Sequence, residues 1–525
     1  MGSFQLRARC AWAAALVLIG TGLFACYLLQ SRTGGVDSDA AAIALQAWDM
    51  QHGNLLLHGW RLADVTFYTT ELPEYALVEA VRGLRTDDVH VCAALTYTLL
   101  VLTTALVARG PARGREGIVR AVLAGGIMVA PELGYGTTTL LESPDHTGTG
   151  VPIMVILLLI DRAKPRWYLP PLVLALLTWA QMADALATYA AAGPIAAVCL
   201  ARTGLRLART RRGPAHSPEP AWYDLALAAA AAASVLLAHA ALAAVQKHGG
   251  FYAHPVPGQP FASVSALPHQ ARVVGLCVLI LFGADPVGQS PGLMAGIAAA
   301  HIAGIVLAGL GLLAAIRWFF GRSSRVSQIL LASTLAILAA GWFGARVASG
   351  FDAHEIAVVL PFAAALAGRT LGSRVIELKL EPVLAVVLAG YLAALGVAST
   401  QPAFPPATNQ QLADWLVANH FSHGLAGYWQ ADSVNFDSGG AVTLAPIFGT
   451  TPYTWEARES WYDPVLSYAN FVVSASSPPA EAVFAKPDVM VRSFGPPVQV
   501  LHFKQYVIMI WNQNLLTRLS ALPGP

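Results

Sequence analysis

Two aspartates, Asp37 and Asp39, flank a serine just beyond the first long apolar run of this 525-residue chain. A carboxylate is suited to removing the proton of an attacking hydroxyl, whose own pKa lies far above neutrality. Together with a third acid it also offers hard oxygen ligands to Mg, Mn or Ca. From Asp39 onward, Ala41, Ile43, Ala44, Ala47, Met50 and Leu55 follow approximately helical spacing. The acidic pair therefore sits at a helix start, where free amide groups and the helix dipole favour negative charge. A plain N-cap accounts equally well for either aspartate alone.

A second polar cluster, Glu142-Ser143-Pro144-Asp145-His146-Thr147-Gly148, interrupts two apolar runs. Asp145 offers a carboxylate that, with Asp39, suits a divalent cation, and His146 a group suited to an anion or a metal. A turn between membrane spans also favours such residues. Basic groups that could meet an anion near the outer boundary are Arg346 with His354, or His269 with Arg272. Arg346 can instead snorkel to lipid headgroups. Glu142 and Asp49 complete the candidate binding residues. Glu132 is a carboxylate at the outer end of an apolar run, a costly place for charge. Trp48, Trp60, Phe67, Tyr68 and Tyr75 suit sugar stacking or an interfacial aromatic belt. In the carboxy-terminal region, Tyr428 and Trp429 are expected in the core, within an alternating strand.

The elements that must position these residues follow from composition. The chain is 56% hydrophobic and 12% charged, with mean hydropathy +0.55; soluble proteins carry about 25% charged residues. The apolar residues fall in blocks, and a membrane span needs about 20 of them. The blocks are Cys10–Gln30, His90–Ala108, Ile118–Gly134, Val151–Ile160, Tyr168–Met182, Leu186–Ala201, Leu225–Val245, Gly292–Ile316, Gln328–Val347, Glu355–Ala367 and Pro382–Ser399. They predict about eleven spanning helices. Most basic residues lie in alternate short connections, among them Arg109 to Arg120, Arg162 to Arg166, Arg202 to Arg212, Arg317 to Arg325 and Arg369 to Lys379. The positive-inside rule then places the amino terminus in the cytoplasm and the acidic clusters outside. Leu267–Phe282 lies within the external segment 246–291 and is expected at the interface. No zinc-ligand spacing occurs among the five cysteines, and no basic, aromatic-rich patch points to nucleic acid.

The predicted architecture is an all-α polytopic membrane bundle over residues 1–400, with a large first external loop at 31–88. A small extracytoplasmic α/β domain follows at 401–525. In that domain a helix is expected at Asn409–His420, with strands at Leu425–Trp429, Ala441–Ile447, Tyr468–Ala475, Val498–Phe503 and Gln505–Trp511.

The run Asp37-Ser38-Asp39 … Ala47-Trp48-Asp49-Met50-Gln51-His52-Gly53 resembles the first external loop of the GT-C superfamily, the multispanning glycosyltransferases. The family often carries Asp-Glu where this chain has Asp-Ser-Asp, and Gly53 falls one place short of the family spacing. The likeness extends to the layout of the whole chain. It implies a cell-membrane enzyme that takes sugar from a polyprenyl-phosphate donor, and the high Ala, Gly and Arg content suggests a bacterial source. The acceptor would be a glycan, lipid or protein of the cell envelope, and the reaction would invert the configuration. Asp39, or else Asp37, would be the general base. A transporter or flippase would need polar groups within several spans, for which Glu132, His239 and His301 are the main candidates. A non-catalytic relative would share the fold.

Overall fold

The computed structural model describes residues 2–131, 139–210, 220–255, 261–285, 292–320, 323–403, 408–477 and 482–522. Glu132 lies outside them. The chain divides into two compact units. One comprises Met1–Gly34, Ala93–Ala240 and Gly258–Ala403; the other comprises Gly35–Cys92, Ala241–Pro257 and Phe404–Pro525.

The first unit is helical. Among the described residues, seven helices in the chain are long and apolar enough to cross a membrane, or eight if the bent pair Gly350–Ile356 and Val359–Glu377 forms one span. They include Trp12–Ser31, Asp87–Arg109, Ala295–Trp318, Arg325–Phe343 and Glu381–Ala398. The expected eleven exceed this number for a physical reason. Several predicted spans form helices of only 15 or 16 residues, such as Gly114–Met128, Thr147–Arg162 and Leu169–Ala183. At 1.5 Å per residue these reach about 22 to 24 Å, short of the ~30 Å hydrocarbon core. The segment Val264–Leu281, expected at the interface, is itself long and apolar enough to span. Exposed Val17, Leu18, Leu236, Leu313 and Val386 leave a wide apolar surface that suits lipid rather than water. This is a multi-pass membrane protein.

Among the described residues of this helical unit, the buried charges Arg369, Asp161 and Asp224 are paired. The Arg369 guanidinium meets Asp161 through two contacts, of 2.8 and 2.9 Å. Its remaining donors reach Ser324, Ser327 and the Val107 carbonyl. Asp224 is fully buried against Arg325, Arg206 and Arg202.

The second unit contains both of the chain's named sheets. Its strands are β1 (Trp60–Leu62), β2 (Tyr252–Ala253), β3 (His423–Ala426), β4 (Thr443–Phe448), β5 (Thr451–Pro452), β6 (Ala457–Arg458), β7 (Phe471–Ala475), β8 (Gln499–Phe503) and β9 (Tyr506–Ile510). The larger sheet runs β5-β4-β3-β7-β9-β8, with β4, β3 and β7 parallel and the other pairings antiparallel. The central β7 is buried along its whole length, as expected for a strand covered on both faces. Gly424 in β3 has a packing reason: a Cβ there would lie 2.5 Å from the Phe471 ring. The smaller sheet runs β2-β1-β6 and joins three stretches distant in sequence. The segment expected as the first external loop therefore belongs to the same compact unit as the carboxy-terminal segment.

The expected strand at Leu425–Trp429 ends at Ala426. Gly427 supplies the N-cap position and a new helix, Tyr428–Asp437, begins. Any side chain at Gly427 would press against Phe484, 2.8 Å from the position of a Cβ. The chain therefore changes direction there, and Tyr428 and Trp429 leave the strand.

Candidate active site and candidate metal centre

In the second unit, Asp37 and Asp39 have different tasks. Asp37 is the N-cap of the Ser38–Gln51 helix, and its Oδ1 accepts the Ala40 amide at 2.9 Å. Asp39 lies in the first turn, half-buried, and accepts a hydrogen bond from the Tyr428 hydroxyl. The intervening Ser38 is buried. It donates to the Tyr428 carbonyl at 2.9 Å and lies 3.1 Å from the Ser433 hydroxyl, which fastens this helix start to the Tyr428–Asp437 helix.

Tyr428 also lies 2.7 Å from Glu456 Oε2. A phenol has one proton to donate, so it cannot fully serve both carboxylates at once. Burial, with the charges of Asp39, Glu456 and Asp432 adding to it, pushes the Tyr428 pKa well above its usual value, so the phenol keeps its proton. Asp432, one helical turn beyond Tyr428, is fully buried. Neither of its carboxylate oxygens has a hydrogen-bond partner among the described residues. Burial, then the Asp39 charge, raises its pKa well above the carboxylate range. Glu456 is buried with φ +53°, a left-handed conformation uncommon for a non-glycine residue. The surroundings of Asp39 thus combine a phenol, a second acid and a buried carboxyl group. Sequence reading did not single out Tyr428, Asp432 or Glu456 as site residues. The first two sit at i and i+4, a legible pattern once the segment is taken as a helix. Glu456 left no such signal.

Asp49, further along the same helix, accepts the Trp60 indole N–H at 2.8 Å and the Asn54 amide at 2.6 Å, and pairs with Arg458 at 3.2 Å.

In the first unit, His146 opens the Thr147–Arg162 helix with φ +52° and is buried. Its Nδ1 lies 2.7 Å from Asp184 Oδ2, while Nε2 is 3.7 Å from Asp145 Oδ1 and 3.8 Å from Glu355 Oε2. His354 stacks parallel to it, with ring centroids 5.6 Å apart. Arg346 Nε pairs with Glu355 Oε1 at 3.3 Å. Burial by itself would lower the His146 pKa. The carboxylates of Asp184, Asp145 and Glu355 outweigh it and hold the pKa well above the imidazole range. The surroundings therefore favour a positive charge at this place, as a proton or as a cation. One ligand atom each from Asp145, His146 and His354 falls within a 4.8 Å cluster, and Asp145 Oδ1 is buried without a hydrogen-bond partner among the described residues. That donor set fits a divalent metal. Asp184 stands behind the imidazole as the carboxylate that fixes its orientation, the usual partner of a metal-binding histidine.

Glu142 is half-buried in the segment before this cluster. His269 and Arg272 are exposed near the start of the Leu267–Leu281 helix, and no hydrogen bond or ion pair joins them to the cluster among the described residues. Asp39, the other candidate cation ligand, belongs to the second unit, where its described partner is Tyr428.

No protein-family model matches the sequence, and no curated protein matches it. Solved structures do resemble it. ArnT from Cupriavidus metallidurans, bound to undecaprenyl phosphate, aligns with TM-score 0.55 at 14% identity over 98% of this chain and 99% of that one. The oligosaccharyltransferase of Archaeoglobus fulgidus, tethered to an acceptor peptide, aligns with TM-score 0.49 at 13% identity over 88% of this chain and 69% of that one. Arabinofuranosyltransferase AftD from mycobacteria aligns at 0.41 and 15% identity, and the match covers 42% of its length. The first of these carries the comparison, because it exceeds a TM-score of 0.5 and spans both chains nearly end to end. The chain has the fold of that ArnT structure.

Proposed function

We propose that this chain is a GT-C glycosyltransferase of the bacterial cell membrane. It moves a sugar from a polyprenyl-phosphate donor to a glycan, lipid or protein acceptor of the cell envelope, on the outer face. The amino terminus is cytoplasmic, about eleven segments cross or enter the bilayer, and the carboxy-terminal segment lies outside. The observation that carries the reading is Asp39. It is a half-buried carboxylate in the first turn of the first external helix, oriented by Tyr428. Asp37 is already engaged as the N-cap, which leaves Asp39 as the base.

In this mechanism Asp39 takes the proton of the acceptor hydroxyl as its oxygen attacks the anomeric carbon. The bond from that carbon to the phosphate oxygen breaks on the opposite face, and the electron pair leaves with the polyprenyl phosphate. The configuration inverts. Tyr428 holds the Asp39 carboxylate in place, and Glu456 shares the Tyr428 hydroxyl beside it. Asp145, His146 and His354 would hold the divalent cation. Two imidazoles with one carboxylate suit Mn or Zn better than Ca. Such a cation, when bound, supplies positive charge for a phosphate group. Membranes containing the Asp39→Asn protein, supplied with polyprenyl-phosphate sugar, should transfer it about 10²- to 10⁴-fold more slowly. Retained transfer would remove Asp39 from its role.

A further inference from the structure

A cavity of about 110 Å³ opens in the second unit, lined in part by Trp48, Trp60, Trp461, Asp49, Arg458 and Thr443. Asp39 and Tyr428 do not line it. We infer that this cavity is a saccharide-binding subsite, separate from the catalytic carboxylate, that holds a sugar residue of a glycan acceptor. The inference rests on the glycosyltransferase reading for its biological sense but on its own lining for its chemistry.

Three indoles line this small cavity, with Trp60 and Trp461 meeting edge to face at 5.5 Å, and indole surfaces of this kind pack against the C–H faces of a pyranose or furanose ring. Trp60 is buried, and its N–H is engaged by Asp49. Trp48 and Trp461 are half-buried, and neither indole N–H has a protein acceptor among the described residues. The Thr443 hydroxyl likewise has no partner there. The Arg458 guanidinium is 38% exposed and uses its pairing with Asp49 to stay in position. A guanidinium carries five N–H donors, so most of them remain for a ligand. Asp49 thus acts within the wall: it fixes Trp60 and Arg458 together.

What remains uncommitted is a set of neutral and cationic donors beside aromatic faces. That combination matches an uncharged polyol ring, whose hydroxyls accept hydrogen bonds and whose C–H face is apolar. A lone lipid tail would leave these donors unmatched. The volume exceeds what one water needs, about 10–15 Å³ on the same measure, and is too small for a chain of sugars. The elements that build the wall explain why the site needs the folded unit. Trp48 and Asp49 come from the Ser38–Gln51 helix, Trp60 from β1, Thr443 from β4 and Arg458 from β6, with Trp461 just beyond it.

The test is titration calorimetry on the purified full chain in detergent, with malto-, manno- and arabinohexaose as probes. Saturable binding of at least one probe is expected, weakened about tenfold by Trp48→Ala and by Arg458→Gln. Thr443→Val, a small change, should weaken it by a smaller factor and decides the matter if the larger substitutions unfold the unit. Asp39→Asn should bind the probe as the unchanged protein does while losing transfer. Absence of binding to all three probes, or equal binding by all three cavity variants, overturns the subsite. Binding lost in Trp48→Ala together with transfer retained in Asp39→Asn would keep the subsite and overturn the catalytic assignment instead.

Discussion

The Nδ1 of His146 lies 2.7 Å from the Oδ2 of Asp184, and that contact turns the opposite edge of the ring toward Asp145 and Glu355. Asp184 is itself fixed, since it caps the Leu169–Ala183 helix and its Oδ1 accepts the Leu186 amide at 2.7 Å. A histidine held this way presents Nε2 as its ligand edge. Replacing Asp184 by Asn should lower the affinity of the purified protein for Mn(II) by about 10- to 100-fold. Electron paramagnetic resonance titration would show it, and an unchanged affinity would mean that the cluster is not a metal centre.

The two aspartates at the start of the Ser38–Gln51 helix should separate cleanly by function. Asparagine caps a helix as well as aspartate does, so Asp37→Asn should keep the fold and most of the transfer activity. Asp39→Asn should lose about 10²- to 10⁴-fold in kcat, the usual contribution of a positioned proton acceptor. Steady-state transfer rates in membranes distinguish the two.

Tyr428→Phe removes one hydroxyl and keeps the ring in its buried place. A hydrogen bond to a charged group contributes about 1.5–3 kcal/mol. The variant should therefore lose roughly ten- to a hundredfold in kcat with little change in donor KM, if the hydroxyl orients Asp39 in the reacting state. A change confined to KM would point to a binding role.

Glu79 predicts a pH effect on stability. It is buried in the Glu71–Arg82 helix, where burial, then the nearby Asp88, raises its pKa from 4.5 to about 9 despite the Gln51 amide at 3.0 Å. The folded state therefore holds a proton that the unfolded state releases between pH 4.5 and about 9. Linkage then makes stability fall as pH rises through this window. Glu79→Gln should flatten that dependence and be the more stable protein at pH 8. Unfolding midpoints in detergent across pH 5 to 9 check this.

Asp161 and Arg369 test the helical unit. Both side chains are nearly inaccessible, at 6% and 3%. Asp161→Ala would leave a buried guanidinium without its charge partner, a loss of about 3–5 kcal/mol. A sharply lowered unfolding midpoint is expected, with less effect from changing the exposed Arg374–Glu377 pair.

What the sequence alone determined is the class of the molecule and the kinds of chemistry it can carry. Long apolar blocks with little charge leave a membrane bundle as the only economical fold, because lipid offers backbone groups no hydrogen-bond partner outside a helix. The strand periods of the carboxy-terminal segment were also readable, since alternation and turn residues are local properties, and four of the five expected strands lie close to observed ones. Span boundaries were less readable, because helices such as Gly114–Met128 end before the apolar run does, and hydropathy alone does not mark where a helix stops. Only the tertiary structure decided which residues meet. Tyr428 reaches Asp39 across 389 positions, Arg458 reaches Asp49 across more than 400, and Asp184 reaches His146 from another helix. No period or local motif encodes such contacts. They follow from how buried surfaces and unpaired polar groups are satisfied together once the chain is closed, and that is a property of the whole fold.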